Sequence, residues 1–522
     1  MKLLAKLKTI PLHPFLFAIF PVLFFFQSNI GEVLLGVVFK PSIFFLFLTA
    51  LGLLVFRFLF KSWPKAAVFM SIGLWQFFIH GRFHEFLGEL SLNVGGFTLG
   101  TDDTIFLIWL VLDVTILVLL LKIKRDLAAT TGFLNVTATV LVATAVFTIA
   151  SYEFRVERPI FSTPFGEFQT VGEVSQENPD IYYLIFDGYA SNEILEEFYN
   201  YDNSYFTGFL EESGFYVAYR SRTNYPKTPL SLASSLNFEY LNEQWDSLTE
   251  GLPEGSNDET FIYPLIEDNE VVRLLGEKGY RYYHLGSWFE GTKTNRNADS
   301  NFNLLSVKFE GGLYLPGLLD GFFLRLLETT SLSPILRKLF PQTDFLNFNA
   351  QHKALILYQF EKLKEVSQLR GPKFVFAHIL APHRPFVFTK DCEQLPDDQA
   401  EVVTVENYIG QLECTNQHII QTVDYILVNS SRPKVIVIQA DEGIRSPYSS
   451  EKQDFLEERF GIINAFYPAA VLQDSLYPSI TPVNVFRIVF NSFFGEGLEI
   501  LPDRNFLFDH YHYNLTEVTD SF

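Results

Sequence analysis

A chain of 522 residues is long enough for more than one structural unit. Its aromatic content of 16%, with 56 phenylalanines, and its positive mean hydropathy describe a membrane-inserted part joined to a soluble one. From Glu153 onward there are 28 Lys+Arg against 53 Asp+Glu, whereas the stretch before it carries 11 against 7. So acidic a soluble part argues against nucleic acid as a partner, because nothing would neutralise the phosphates, and suits solubility beside a membrane or the holding of cations.

Five apolar stretches fill the first 152 residues, near 11–30, 40–60, 65–80, 104–121 and 131–151. Each is about long enough to cross a hydrocarbon core of ~30 Å. The first could be mistaken for a cleaved signal peptide, but four more follow it, so it reads as a retained anchor. Lys2, Lys6 and Lys8 precede the first stretch, Arg57, Lys61 and Lys65 flank the second link, and Lys122, Lys124 and Arg125 join the fourth to the fifth. The loop over 81–103 instead carries Glu85, Glu89, Asp102 and Asp103. The positive-inside rule therefore places the N-terminus in the cytoplasm, and an odd number of spans puts everything after about 152 on the periplasmic or extracellular side. Asp113, inside the fourth stretch, is open to two readings: a functional polar residue or a structural hydrogen bond.

A polar linker over 153–178 leads into a soluble domain over 179–522. The runs 181–186, 215–219, 281–286, 373–380, 434–439 and 462–467 have strand composition, with helical spacing between them, for example over His352 to Val366 and Val405 to Leu427. This alternation predicts an α/β domain with a mostly parallel sheet. Residues 301–345 are apolar and less regular, and fit a cap over the site, contact with the lipid surface or ordinary helix packing alike. Cys392 and Cys414 match no zinc or redox spacing. They are compatible with one disulfide outside the cytosol and equally with unpaired small hydrophobes.

Three predicted strands end in residues that carry chemistry. Asp187 follows IYYLIF, the segment His378 to Phe386 contains His378 and His383, and Asp441-Glu442 follow KVIVIQA. In open α/β sheets ligands bind at the carboxyl ends of the strands. An Asp after a strand is alone most often a turn residue, so the three tips matter only if their strands are neighbours. Carboxylates joined by a hydroxyl or an imidazole suit Zn²⁺ or Mn²⁺. The nucleophile candidate is Thr228, which precedes Pro229 and an Ala/Leu/Ser run. That pattern predicts a helix start with Thr228 as N-cap, where free N–H groups and the helix dipole favour an anionic phosphate or sulfate group. A plain capping threonine gives the same pattern.

Taken together, IYYLIFDGYA, KTPLSLASSLN, PHRPF and VIVIQADEG, in that order over roughly 178–510, resemble the alkaline phosphatase superfamily. The layout is similar to its sulfatase-like, membrane-anchored branch, which includes lipoteichoic-acid synthases and phosphoethanolamine transferases. The resemblance implies Asp187 and Asp441 as ligands of one divalent metal, Mn or Zn, with Thr228 as both ligand and covalent nucleophile. It further implies that His383 contacts the substrate, with Trp288 and His284 lining the substrate site. Glu442 departs from the pattern, which is Asp-His-Gly with the histidine as metal ligand; a carboxylate there either serves as the ligand or marks lost catalysis. The sulfatase variant needs Cys or Ser in a Cys/Ser-x-Pro-x-Arg context, which neither cysteine has. The implied activity is a hydrolase or transferase acting on phosphate esters, with a membrane lipid or an envelope glycan as substrate. The competing expectation is a catalytically inactive envelope protein that binds an anionic glycan or a protein partner. Transport fits poorly, since five spans with little intramembrane charge offer no pathway.

Overall fold

The structure, a computed structural model, describes residues 10–94, 97–154, 178–252, 258–303, 306–308, 314–316, 320–339, 347–444, 452–509 and 513–522. The chain divides into two compact units: Met1–Arg155 with Leu305–Phe348, and Val156–Leu304 with Asn349–Phe522.

The first unit is built on helices α1 (His13–Ser28), α2 (Phe39–Phe60), α3 (Trp63–Leu87), α4 (Thr101–Lys122) and α5 (Ala128–Glu153). Among the described residues three stretches are long and apolar enough to cross a membrane: Leu35–Phe60, Thr101–Lys122 and Ala128–Glu153. α1 is apolar but shorter, and α3 is long but interrupted by Gln76, His80, Arg82, His84 and Glu85. Phe58, Phe133 and Phe147 stand on the outer surface of these helices at 82%, 70% and 74% exposure. An outward-facing apolar surface of this kind is what a lipid solvent selects, with backbone groups satisfied inside each helix. Polar groups turn inward. Asn135 of α5 accepts from the N–H of Leu12 and His13 at 3.0 and 2.9 Å and donates to the Ile10 carbonyl at 2.8 Å, satisfying the start of α1. Asp113 has Gln76 of α3 as its side-chain neighbour, in line with the structural reading of that residue.

The insertion at 305–348 joins this unit rather than the soluble domain expected over 179–522. Its helices α6 (Gly321–Glu328) and α7 (Leu332–Leu339) are held by Phe322 against Phe25, by Phe323 against Phe44 and Phe45, and by the Gly81 N–H donating to Thr329 O at 2.9 Å. Phe322 and Phe323 thus spend their apolar surface on packing against α1 and α2. A sequence reading in chain order has no way to see that return.

The second unit holds a seven-stranded sheet. Its strands are β1 (Asp180–Phe186), β2 (Tyr216–Val217), β3 (Arg281–Leu285), β4 (Ser300–Phe302), β5 (Lys373–Ile379), β6 (Lys434–Gln439) and β7 (Asn464–Tyr467), in the order β2-β7-β6-β1-β5-β3-β4. β6, β1, β5, β3 and β4 run parallel, while β7 and β2 add antiparallel pairs at one edge. All six predicted strands are present. The additional strand, β4, is a three-residue edge strand too short to leave a periodic signal.

β1 is buried at every position, which is why its sequence reads as a continuous apolar run rather than an alternating one. Its two faces feed two cores. Tyr182, Leu184 and Phe186 pack with Phe360, Tyr408 and Leu412, whereas Ile181, Tyr183 and Ile185 pack with Leu230, Leu236 and Phe486. At the other end of the sheet Lys373 and Asp180 form a fully buried ion pair at 2.5 Å, with Arg432 donating to the second Asp180 oxygen at 3.1 Å.

Candidate metal centre

The three strand tips singled out in the sequence belong to adjacent strands, β6, β1 and β5. Gln439, Ile185 and His378 lie in one row across the sheet, since Ile185 pairs with Gln439 on one side and with His378 on the other. Asp187 and Asp441 each lie two residues beyond that row. Side chains repeat on the same face every second residue, so His378, Asp187 and Asp441 share the face that packs under Leu230 and Leu236. Those leucines belong to helix α8 (Thr228–Asn237), whose first residue is Thr228. Lys227 is the N-cap and Thr228 is already helical, so the helix opens one position earlier than the sequence predicts. α8 is anchored to the tip of β6 by Thr223, whose hydroxyl donates to the Asp441 carbonyl at 2.6 Å and meets Ser231 Oγ at 3.2 Å.

The geometry leaves a concentration of polar atoms without partners. Asp187 Oδ1, both carboxylate oxygens of Asp441 and Nε2 of His378 are buried and have no hydrogen bond. Thr228 is an electrostatic neighbour of Asp441, yet neither Asp441 oxygen reaches a hydrogen bond of ordinary length. His378 Nε2 stands 3.8 Å from Asp187 Oδ2 and 4.0 Å from Asp441 Oδ2. Burial pushes both Asp carboxyls well above the usual carboxylate range, with Glu442 adding to Asp187 and with Asp187 and Glu442 adding to Asp441. Burial also lowers the His378 imidazole to about 3, so it is neutral. Buried carboxylates facing each other without a cation are costly, and an ion among them would remove that cost. Among the described residues three groups have ligand atoms all within 4.8 Å of one another, and two of them are here: Asp187, His378 and Asp441, and Asp187, His383 and Glu442; the third is Cys392, Cys414 and His418.

Glu442 is not a free ligand. Arg459 Nη2 donates to its Oε2 at 2.6 Å and Nη1 to its Oε1 at 3.3 Å, and the same guanidinium donates to the carbonyls of Pro226 and Gly443. Arg459 thereby joins the Asp441-Glu442 turn to the loop that leads into Thr228. Lys227, on that loop, pairs with Glu259.

His383 approaches from the segment after β5. Its N–H donates to the Asp187 carbonyl at 2.9 Å, and its ring Nδ1 donates to the Arg384 carbonyl at 2.5 Å, leaving Nε2 as the free face of the ring. Gly188, at φ +71°, makes room: a Cβ there would meet His383 Cβ at 3.4 Å in a left-handed backbone conformation. Gln411 fixes the segment by donating to the carbonyls of His383 and Pro382.

The remaining expectations divide. His284 is 1% exposed, and both of its ring nitrogens are taken, Nδ1 by Tyr282 Oη at 2.8 Å and Nε2 by the Thr292 carbonyl at 2.8 Å. It supports the sheet and has no nitrogen left for a substrate. Trp288 is half-buried and donates its indole N–H to His352 Nδ1 at 3.1 Å, while its neighbour Phe289 packs edge-on against His378 at 6.0 Å. Cys392 and Cys414 are bonded to each other, so their sulfurs ligate nothing. A further source of an imidazole in the sequence is Asp-His-Tyr-His at 509–512, of which residues 510–512 lie outside the described residues. His378 was named at a strand tip but given no role, and Arg459 was missed by sequence reasoning. His378 had a visible signal, an imidazole next to last in a buried strand whose register puts it level with the other tips; Arg459 had none.

No family model matches the sequence, and no curated protein matches it either. Solved structures similar to the chain include two periplasmic domains and a sulfatase. The C-terminal periplasmic domain of EcEptC from Escherichia coli is 12% identical, with 66% of this chain and 94% of that domain covered and a TM-score of 0.40. The C-terminal periplasmic domain of the phosphoethanolamine transferase EptC from Campylobacter jejuni is 12% identical, covering 63% and 93%, with a TM-score of 0.35. BT1596, a 2-O GAG sulfatase, is 14% identical, covering 63% and 72%, with a TM-score of 0.39.

Proposed function

We propose that the chain is a membrane-anchored, metal-dependent enzyme acting on phosphate esters, with a phospholipid head group or an envelope glycan as substrate, on the outer side of the cytoplasmic membrane. One observation carries this reading: three partnerless oxygens of two buried aspartates converge at adjacent strand tips beside the threonine that opens a helix. Asp187, Asp441 and the Thr228 oxygen would hold one Zn²⁺ or Mn²⁺. When bound, such an ion supplies positive charge that lowers the hydroxyl pKa and screens charge developing on phosphate.

The chain's own groups do the rest. The first N–H groups of α8 face the anionic phosphoryl group, and His383 presents Nε2 to it. The Thr228 oxygen bonds to phosphorus as the ester P–O bond breaks, and the alcohol departs with the threonine's proton. Water or an acceptor alcohol then cleaves the threonine–phosphorus bond, giving hydrolysis or transfer. The outward topology is supported by the placement of every basic cluster on one side of the five apolar stretches, and the Cys392–Cys414 bond agrees with a non-reducing compartment.

The second reading, a binding protein that has lost turnover, is favoured by one observation: Glu442 stands where an imidazole is expected and is engaged by Arg459. The two are separated by incubating the full chain, loaded with Mn²⁺ or Zn²⁺, with bis-p-nitrophenyl phosphate and with phospholipid vesicles, followed by peptide mass spectrometry. A phosphoryl adduct on Thr228, absent from Thr228→Ala, is expected. Metal-loaded protein with neither adduct nor turnover overturns the enzyme reading.

A further inference from the structure

We infer that His378, rather than Glu442, supplies the fourth protein ligand of the cation held by Asp187, Asp441 and the Thr228 oxygen. As a reading, this deepens the metal centre proposed above and rests on it. The imidazole is fully buried, and its Nε2 is aimed between the two carboxylates without a hydrogen bond to either. Separations of 3.8 and 4.0 Å are too long for hydrogen bonds. They are close to what a shared ion requires: with metal–ligand bonds of about 2.0–2.1 Å, two ligands at a tetrahedral angle lie about 3.4 Å apart. A contraction of a few tenths of an ångström closes the set.

The other ring nitrogen is already prepared. Nδ1 meets Thr292 Oγ1 at 2.8 Å, and Thr292 Oγ1 meets Ser287 Oγ at 2.9 Å, which in turn accepts from the Phe289 N–H at 3.1 Å. If Nδ1 carries the ring proton and donates it to Thr292, Nε2 keeps its lone pair facing the carboxylates. An outer hydrogen bond that fixes the tautomer and ring angle of a metal-binding histidine is the usual companion of such a ligand. Phe289 packs edge-on at 6.0 Å and restricts the ring further.

Glu442 has the opposite provisioning. Both of its oxygens are engaged by Arg459, and it sits with His383 on the outer side of Asp187, in the second group of close ligand atoms. Moving it onto the inner ion would strand the guanidinium. The imidazole thus comes from the end of β5, two strands away from the turn after β6, while Glu442 in that turn ties it through Arg459 to the Thr228 loop.

The test is zinc affinity of the purified full chain in detergent, by chelator competition, for the wild type, His378→Gln, Thr292→Val and Glu442→Gln, with zinc-edge X-ray absorption on the wild type and on His383→Gln. His378→Gln is expected to weaken binding at least about 100-fold, and Thr292→Val, which removes only the outer hydrogen bond, about 10-fold. Glu442→Gln is expected to weaken it less than either. Imidazole scattering is expected in the wild type and retained in His383→Gln. Should His378→Gln fail to melt cooperatively, the absorption spectra decide alone: absence of imidazole scattering from His383→Gln overturns the assignment. Zinc held at wild-type affinity by folded His378→Gln also overturns it while leaving the metal centre standing. A wild type that binds no zinc overturns the metal centre itself.

Discussion

Arg459 donates to both carboxylate oxygens of Glu442 and to the carbonyls of Pro226 and Gly443, so one guanidinium joins the turn after β6 to the loop before Thr228. The Arg459 and Glu442 side chains are only 14% and 9% exposed. Arg459→Met leaves Glu442 unpaired beside Asp187 and Asp441. Breaking a buried pair from one side costs about 3–5 kcal/mol, and partial exposure places this one at the lower end. The expected outcome is a large drop in melting temperature for the metal-free protein and a smaller one for the metal-loaded protein, where the ion compensates the extra carboxylate. Equal drops in both would refute the electrostatic link between Glu442 and the centre.

Gly443 is required by close approach rather than by backbone conformation. A Cβ at this position would lie 2.0 Å from the Glu458 carbonyl oxygen, and its N–H donates to the Arg459 carbonyl at 2.9 Å. The obstacle is backbone, so it cannot rotate away. Gly443→Ala is expected to cost about 1–3 kcal/mol, as overpacking does elsewhere. Because the shift must be taken up by the Asp441-Glu442 turn, zinc affinity should fall together with the melting temperature. A variant with wild-type affinity would mean that the turn relaxes without moving Asp441.

The sheet and the two aspartates were legible because their signals are local. A strand buried on both faces is a continuous apolar run, and an Asp placed directly after it marks a strand tip whatever the topology. That β6, β1 and β5 are neighbours was not legible, since strand order is set by the packing of the intervening helices. His378 could not be weighed for the same reason: it matters only once Ile185 is known to pair with it. The membrane unit was legible as apolar length, but the return of 320–339 to α1, α2 and α3 was not, because Phe322 and Phe323 look the same facing lipid, a site or another helix. His284 misled for a physical reason. A histidine near a strand end reads as functional, whereas here Tyr282 and the Thr292 carbonyl use both of its nitrogens.

The buried carboxyls set a pH dependence with a definite sign. Burial, and then neighbouring negative charge, hold Asp187 and Asp441 above the usual carboxylate range. A carboxyl with a higher pKa in the folded chain binds its proton more tightly there than in the unfolded chain. Its stabilising contribution is therefore present at low pH and lost as pH rises from about 4, the ordinary Asp value, through the raised folded value. Metal-free protein, prepared by chelator dialysis, is expected to melt at progressively lower temperature across that rise. Metal-loaded protein should not, so the gap between the two curves widens with pH. A gap that is constant with pH would show that the carboxyls do not bind the ion.

His284 and His383 are 99 residues apart in sequence, and the structure assigns them opposite duties that one pair of variants can separate. His284 lies in β3 with its ring stacked on Phe376 and both nitrogens engaged inside the protein, and burial lowers it to about 4, so it stays neutral. Replacing it with Ala removes a packed ring and strands the Tyr282 hydroxyl, which should cost about 2–4 kcal/mol from cavity and lost hydrogen bonds together. His383 is half-buried, anchored through its backbone to Asp187 and through Nδ1 to Arg384, with Nε2 unused by the protein. His383→Ala should leave the melting temperature within a few degrees of wild type while lowering turnover of the phosphoester probe by about 10²-fold or more, the scale of a positioned acid–base group. His284→Ala should do the reverse, losing stability while the fraction that remains folded keeps its KM. If His284→Ala raised KM without a change in melting temperature, the ring would have to reach substrate despite its two internal hydrogen bonds, and the placement of the site on the β6-β1-β5 edge would be wrong.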